Sequence, residues 1–171
     1  VAILNDPYLG GTHLPDVSLM APVYDGGTLV GYVANRGHHA DIGGMSPGSL
    51  PLSTELYQEG VIIPPLKLID AGVLNEELLE LICRNTRTPQ ERRGDFAAQL
   101  AAIRTGEARL LALVKRYGLE SVHEHMGALL DYAESLTRDA LRALPDGRYR
   151  FSDTMEGDGI TRDPLIIVCE A

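Results

Sequence analysis

The second half of the chain carries a repeat of apolar positions with the period of an α-helix. The repeat begins in the segment "NEELLELICRN" and is clearest where apolar residues recur at spacings of four and three, in two stripes separated by the short break "YGLES". The first stripe is Phe96, Leu100, Ile103, Glu107, Leu110, Val114 and Tyr117, in which Glu107 is the one charged member, and the second is Val122, Met126, Leu129, Ala133, Leu136 and Ala140. Such spacing places each stripe on one helical face. A short break between long helices favours an antiparallel pair, so we expect the two stripes to face each other.

The first 70 residues and the C-terminal segment have a β pattern instead. Ten of the 18 glycines lie within residues 1–60, interleaved with prolines, and this density disfavours helices. The β-rich runs "VSLMAPVY" and "TLVGYVANRGHH" flank an Asp-Gly-Gly sequence, which predicts a hairpin with a tight turn. Strand-like runs return around "EGDG". The chain is therefore predicted to be one α+β domain, 1–171, with a glycine-rich β/loop region at 1–70, a helical region at 75–145 and strands at 147–171.

Composition narrows the classes of function. The 171 residues include 15 basic and 24 acidic side chains, which gives a net charge of −9. Such a chain repels a phosphate backbone, so no nucleic-acid partner is predicted. The longest apolar runs, such as "LIIVC", are far too short to span a bilayer, so we predict no membrane association and a cytoplasmic location. Both ends of the sequence are apolar and strand-like, and we expect the chain to be an internal fragment of a longer polypeptide.

Several short motifs do not support a function of their own. The sequence contains neither G-x-x-x-x-G-K-[ST] nor G-x-G-x-x-G, so any nucleotide chemistry requires another chain or domain. The segment "GMSPG" matches G-x-S-x-G, but Ser46 is followed by Pro47, which has no N–H to donate to an oxyanion. A loop turn is predicted there. His123 and His125 are two positions apart, which on a helix directs them to different sides, and they are left out of the site.

Polar residues that bind metals cluster in the glycine-rich half. In "THLPD", Pro15 favours a turn that brings His13 and Asp16 to one side. In "HHAD", an extended chain places His39 and Asp41 on one face. Two such pairs of imidazole and carboxylate ligands would suit manganese, iron or zinc better than magnesium or calcium. The alternative, which spacing alone leaves equally open, is that these residues only cap turns in loops.

The assembled segments resemble a known family. The residues that carry the resemblance are "LNDPYLGGTHLPDVSLMAPVY", "GYVANRGHHADIGGMSPGSLPLSTELYQEGVIIPPLKL", "TRTPQERRGDFAAQLAAIRTGEARL" and "LLDYAESLTRDALRALPDGRYRF". They are similar to the hydantoinase B/oxoprolinase family and cover nearly the whole chain, although family members are several times longer. In the related acetone carboxylases the corresponding subunit carries a metal. The resemblance therefore favours a divalent metal, held by His13, Asp16, His39 and Asp41, with His38 and Asp6 as further candidates.

The resemblance also implies a function. It implies that this chain is the catalytic part of an ATP-dependent hydrolase that opens small cyclic amides of the N-methylhydantoin or 5-oxoproline type. ATP would be bound by a separate hydantoinase A-type subunit, which makes the enzyme a hetero-oligomer and leaves the fragment inactive alone. His38 would act as general acid or base, and Arg36 would bind a carboxylate or phosphate of the substrate. Two alternatives stay open: a component of a ketone (acetone) carboxylase, and a non-catalytic module that docks partner subunits.

Overall fold

A computed structural model describes residues 1–48, 51–161 and 163–171 of the chain. The strands are β1 (Ala2–Leu4), β2 (Asp16–Asp25), β3 (Thr28–His38), β4 (Leu66–Lys67), β5 (Ile69–Asp70), β6 (Val73–Leu74), β7 (Arg150–Met155) and β8 (Leu165–Glu170). The helices are α1 (Glu76–Arg84), α2 (Pro89–Tyr117) and α3 (Leu119–Arg142), together with one turn of 3₁₀-helix at Leu56–Gln58. These elements form two compact units, 1–119 and 120–171. The predicted α+β class is confirmed.

The first unit contains a four-stranded antiparallel sheet in the order β3-β2-β1-β4. Its longest pair, β2 and β3, is joined by the predicted tight turn, in which Gly26 and Gly27 have φ of 54° and 90°. Positive φ at both central residues is the geometry that glycine adopts without strain, which explains the Asp-Gly-Gly sequence. The turn fixes the register of the hairpin, so that Asp16 lies opposite His38 at its far end.

One face of this sheet packs against α2, and α1 packs against α2. Alternate β2 residues, Val17, Leu19 and Ala21, are buried, and they share a core with Phe96 and Ile103 of α2. The period of two in the strand and the spacing of four and three in the helix both turn apolar side chains into this layer. The first predicted stripe is therefore largely buried, and the opposite face of the hairpin is left exposed.

The second unit consists of α3 after its first residue, together with the β7–β8 hairpin. The predicted strands of the C-terminal segment are present, and both are exposed along their whole length. On α3, Val122 is buried, whereas Met126, Leu129, Ala133, Leu136 and Ala140 are exposed. The expectation that this stripe faces another helical stripe would require its side chains to be buried, and their exposure contradicts it. Amphipathic spacing specifies a face of a helix without specifying what covers that face. Within the part of the chain that the structure describes, no helix is long and apolar enough to cross a membrane.

Candidate metal centre

The candidate site lies on the exposed face of the β2–β3 hairpin, at the end remote from its turn. Along β3, Arg36 and His38 point outward, while Gly37 between them belongs to the inner face. On the neighbouring strand, Ser18 and Asp16 lie opposite Arg36 and His38 respectively. Directly opposed residues on one face of an antiparallel pair have Cβ atoms roughly 5 Å apart. The register therefore sets the Asp16 carboxylate beside the His38 imidazole.

A reverse turn before β2 adds His13 to this face. The Asp16 N–H donates to the His13 carbonyl at 2.9 Å, which closes the turn over "HLPD". Leu14 is fully buried and anchors the turn in the core. The buried Asn5 amide donates to the Leu14 carbonyl at 2.8 Å and so holds the turn from below. With Leu14 turned inward, the side chains of His13 and Asp16 are directed together to the outside, as the sequence predicts.

His13, Asp16 and His38 form one compact cluster. Nδ1 of His13 lies 2.8 Å from Oδ2 of Asp16, and Nδ1 of His38 lies 3.1 Å from Oδ1 of the same carboxylate. The two imidazole rings stack, with centroids 5.2 Å apart. Each of the three residues offers one ligand atom, and these atoms all lie within 4.8 Å of one another. The side chains are partly exposed, so a small molecule has access to them.

The Asp16 carboxylate is held in its charged form. Partial burial raises the pKa of Asp16, but hydrogen bonds from Thr12 and His38 and the interaction with nearby His13 outweigh it and bring the pKa below its ordinary value. The Thr12 hydroxyl donates to Oδ2 of this carboxylate at 2.9 Å. Asp16 thus offers a negatively charged carboxylate at neutral pH.

Arg36 extends the polar face beside the cluster. Its Nε donates to the Ser18 hydroxyl at 2.9 Å, and its Nη1 donates to the Thr12 hydroxyl at 3.4 Å. Both partners are neutral, and among the described residues no carboxylate lies within ion-pair distance of the guanidinium. A guanidinium group that is oriented by hydroxyl groups, and is not paired with a carboxylate, is available to bind an anion from solution.

His39 lies on the other face of the hairpin and is only 2% exposed. Its Nε2 lies 3.0 Å from Oε1 of Gln99, and its ring packs on Phe96 at a centroid distance of 4.6 Å. Burial lowers the pKa of His39, which keeps the ring neutral. The sequence pattern and the family resemblance predict His39 as a ligand, but strand alternation turns it into the core and leaves His38 outside. The geometry therefore groups His38, and not His39, with His13 and Asp16.

Asp41 also lies outside the cluster and is hydrogen-bonded to Gly43 and Arg87. Its carboxylate accepts hydrogen bonds from the Gly43 N–H at 2.9 Å, from the Arg87 N–H at 2.7 Å and from Nη1 of Arg87 at 3.0 Å. These contacts tie the "DIGG" loop to the segment between α1 and α2, so Asp41 has a structural partner in place of a metal. Asp6, the other further candidate, accepts from the Tyr8 N–H within its own loop and lies outside the cluster.

Comparison with known proteins identifies the family of this chain. The profile of a family described as hydantoinase B/oxoprolinase matches residues 1–170. The chain belongs to the hydantoinase B/oxoprolinase family. The resemblance that the sequence segments indicated is confirmed.

Members of the hydantoinase B/oxoprolinase family share long stretches with this chain. A 5-oxoprolinase of Dictyostelium discoideum is 41% identical over 142 residues, which cover 82% of this chain and 11% of that protein. A putative D-/L-hydantoinase of Pseudomonas sp. (strain NS671) is 36% identical in its B component over 166 residues, which cover 96% of this chain and 28% of that protein. The chain thus spans between about a tenth and three tenths of the length of these relatives.

Solved structures agree with this assignment. The crystal structure of the ATP-dependent caprolactamase from Pseudomonas jessenii superimposes with a TM-score of 0.85 at 33% identity, and the match covers 98% of this chain and 32% of that chain. Nucleotide-free acetone carboxylase superimposes with a TM-score of 0.81 at 19% identity, over 99% of this chain and 24% of that chain. At that identity the second comparison shows a shared fold alone.

The donor set of the cluster fits a catalytic divalent metal. Two imidazoles and one carboxylate are the ligands found in catalytic zinc sites and in iron sites with open positions. Ligands around one ion with bonds near 2.1 Å are separated by about 3–4 Å, so the three donor atoms require only small side-chain movements to meet. Three protein ligands leave further positions for water or substrate. The chain therefore presents, at an accessible face, a donor arrangement that suits a divalent ion.

Two polar residues that shape this region were not predicted from the sequence. Gln99 occupies the same helical face as Phe96 and Ile103, at spacings of three and four, and is buried with them. A polar residue within an apolar helical stripe is a signal that a polar group faces it across the core, because buried polar groups are hydrogen-bonded. Its partner is His39, which the sequence pattern instead predicts as a metal ligand. Arg87, the partner of Asp41, carried no such signal because it lies between helices.

Proposed function

We propose that this chain supplies the metal-binding hydrolytic site of an ATP-dependent enzyme that opens small cyclic amides. The observation that carries the proposal is the cluster of His13, Asp16 and His38 on an accessible sheet face, in a chain of the hydantoinase B/oxoprolinase family. The relatives named 5-oxoprolinase, hydantoinase and caprolactamase take one chemical class of substrate, a ring that contains an amide bond. The proposal carries this class over to the present chain.

In this proposal the three residues of the cluster hold a divalent manganese, iron or zinc ion. When bound, such an ion polarises a carbonyl oxygen or lowers the pKa of a bound water. The Asp16 carboxylate supplies negative charge, and the two imidazoles supply neutral nitrogen ligands. The turn over "HLPD" and the β2–β3 register hold these groups on one face before any substrate arrives, which limits the reorganisation that binding requires.

Arg36 binds an anionic group of the substrate in this scheme. Its guanidinium lies on the same outer face as His38, two residues away on β3, and is oriented by Ser18 and Thr12. A phosphoryl group placed on the amide oxygen by a partner, or a carboxylate on the ring, would match its charge and its planar donors. His39 is too deeply buried to reach a substrate, so it is not proposed as an acid or base.

The ATP-dependent step belongs to a partner in this proposal. The sequence contains neither of the two glycine-rich nucleotide-binding motifs sought in it. The hydantoinase and caprolactamase relatives are named as the B component and the beta component of their enzymes, which implies assembly with another polypeptide. We therefore propose a hetero-oligomer in which ATP is bound, and the substrate activated, by a hydantoinase A-type subunit. We expect this chain alone to be inactive.

The test is to co-express the full-length protein with its A-type partner and to assay ATP-dependent turnover of hydantoins, 5-oxoproline, caprolactam and acetone with bicarbonate. We expect ring opening of a cyclic amide and about one divalent metal ion per site, measured by elemental analysis. Carboxylation of acetone without ring opening would instead support the ketone carboxylase alternative. A complex that is free of manganese, iron and zinc would support the docking module and overturn the proposal.

Matched histidine variants locate the site. His38→Ala removes one proposed ligand, so we expect it to lower metal content and abolish turnover. His125→Ala is the control, because His125 is exposed on α3 and contacts a backbone carbonyl of its own helix. Equal metal content in both variants would show that His38 is not a ligand.

A further inference from the structure

We propose that Gln99 on α2 is a positioning residue for the metal centre, which sets the relative position of the strand ends that carry Asp16 and His38. This inference rests on the proposed function, since it assigns Gln99 to the same site. Gln99 touches neither ligand, and acts from the opposite face of the sheet through their chain neighbours. It is buried at 8% exposure within the apolar face of the helix.

The Gln99 amide joins both strands at this end of the hairpin. Its Nε2 donates to the Val17 carbonyl at 2.9 Å and to Oδ1 of Asn35 at 3.0 Å. Because this nitrogen faces two oxygen acceptors, the amide oxygen faces His39, whose Nε2 lies 3.0 Å away and acts as donor. One side chain thus bonds to β2 and to the chain at the end of β3. The helix backbone adds a further bond, from the Asn35 amide to the Gln99 carbonyl at 2.8 Å.

Two of the three partners of the Gln99 side chain are the chain neighbours of the proposed ligands. Val17 follows Asp16, and His39 follows His38. Successive residues of a strand point to opposite faces, so a contact on the inner face fixes the backbone from which the outer side chain projects. The separation between the Asp16 and His38 side chains therefore depends on the bonds that Gln99 makes behind them.

Gly37 makes the contact between α2 and β3 a close one. A Cβ atom added at Gly37 would lie 2.9 Å from both Cδ and Nε2 of Gln99, which is closer than a carbon can approach without displacement. Gly37 lies opposite Val17 in the register. Along the chain it lies midway between Asn35 and His39, which both bond to the Gln99 amide. The amide of Gln99 therefore fills the space where any other residue at position 37 would place its side chain.

The experiment measures Mn²⁺ binding to the full-length protein by electron paramagnetic resonance of the free ion, with no substrate and no partner present. The variants are Gln99→Leu, Gln99→Glu, Gln99→Ala, Gly37→Ala and the double variant G37A/Q99A. The control is Gln90→Leu, the same substitution at an exposed position of the same helix. We expect Gln99→Leu and Gly37→Ala to weaken Mn²⁺ binding about 10-fold, the lower end of the effect of groups that orient metal ligands. Gln90→Leu should leave the dissociation constant unchanged.

Two features of the result separate positioning from a merely structural role. The dissociation constant is measured well below each melting temperature, where loss of stability alone does not change it. In addition, Gly37→Ala should have no effect on Mn²⁺ binding in the Q99A background, because the opposing amide has gone. If Gln99→Leu lowers the melting temperature but binds Mn²⁺ like the wild type, or if Gly37→Ala weakens binding equally in both backgrounds, the inference is overturned.

Failure of the proposed function gives a different result. A wild-type protein that binds no Mn²⁺, Fe²⁺ or Zn²⁺ would contradict the proposed metal centre itself, and with it the role of Gln99. If Gln99→Leu does not fold, Gln99→Glu decides in its place, since it keeps the size and the oxygen that faces His39 but loses the donor to Val17 and Asn35. Unchanged Mn²⁺ binding by a folded Gln99→Glu variant would overturn the inference.

Discussion

The two units of the chain are built from similar apolar sequence but bury it very differently. In 1–119, alternate residues of β2 and the stripe of α2 share a core, whereas in 120–171 the stripe of α3 is exposed after Val122 and both strands of the last hairpin are exposed throughout. An isolated two-stranded hairpin is marginally stable in water. The free energy of unfolding therefore resides mainly in the first unit, which also carries the candidate metal centre.

The difference between the units shows that an apolar repeat predicts secondary structure more reliably than it predicts burial. Spacings of three and four correctly predict that 119–142 is helical, because an amphipathic face is a property of the segment itself. Burial is a property of the segment and its neighbours together. The stripe of α2 has β2 and β3 against it, and the sequence of α3 alone does not say what lies against its own stripe.

The two phenylalanines of the chain offer the sharpest test of this difference. Phe96 on α2 is fully buried, whereas Phe151 on β7 is 68% exposed. We expect Phe96→Ala to lower the free energy of unfolding by about 3–5 kcal/mol, because it leaves a cavity against His39 and the sheet. Phe151→Ala should lower it by less than about 1 kcal/mol. Urea denaturation followed by circular dichroism measures both, and equal losses would break the comparison.

The next largest effect is expected where a buried amide supports the candidate site. Asn5 is fully buried, donates to the Leu14 and Val61 carbonyls and accepts from the Ile63 N–H. Asn5→Asp replaces the donor with an oxygen that faces two carbonyls, and we expect a loss of about 3 kcal/mol.

Asn75→Asp is the matched control for this substitution. Asn75 caps α1 by accepting from the Leu78 N–H, and aspartate serves equally well as an N-cap. Thermal melts of the two variants at neutral pH check the contrast. A melting temperature for Asn5→Asp equal to that of Asn75→Asp would show that the amide does not hold the turn.

Much of the secondary structure of the first unit can be predicted from the sequence, because the conformational preferences of its residues agree with their tertiary packing. The Asp-Gly-Gly turn between β2 and β3 and the helix that begins after Asn75 both follow from the conformational preferences of their residues. The contact between His13 and Asp16 across the turn over "HLPD" is likewise local, since the two residues are three positions apart.

The choice between His38 and His39 is not local. Both rings lie at the end of β3, and a shift of one residue in the register exchanges the two faces of a strand. The apolar residues of β3 do not settle the register, because they occur on both faces, for example Tyr32 and Val33. The Gln99 amide, 60 residues away on α2, lies on the inner face of the sheet and bonds the His39 ring there. A single sequence does not reveal a contact of that separation.

The buried histidine also makes the first unit sensitive to acid. Burial lowers the pKa of His39 below the ordinary value of 6.5, so the unfolded chain takes up a proton at a higher pH than the folded one. Stability is then fully present above about pH 6.5 and is lost as the pH falls from that value through the lowered pKa of the folded state. In the folded state a proton on Nδ1 would have no acceptor among the described residues.

We expect the slope of unfolding free energy against pH between about 7 and 5 to be shallower in His39→Gln than in the wild type. His125→Gln, at an exposed position of the second unit, should keep the wild-type slope. The lowered pKa of Asp16 acts in a separate window, since its contribution is present above about pH 3.8 and is lost below it. A wild-type slope in His39→Gln would show that the loss near pH 6 comes from other groups.

The last comparison takes two leucines on the two long helices, of which the second is expected to show almost no effect. Leu100 of α2 is 8% exposed and Leu129 of α3 is 66% exposed, although both occupy their stripes in the same way. Leu100→Ala removes buried apolar atoms and should lower the free energy of unfolding by about 2–5 kcal/mol. Leu129→Ala should change it by less than about 0.5 kcal/mol, because the side chain already meets solvent and alanine is the better helix former. Urea denaturation of both variants gives the two values, and a loss above about 2 kcal/mol for Leu129→Ala would show that the stripe of α3 is covered in the folded protein.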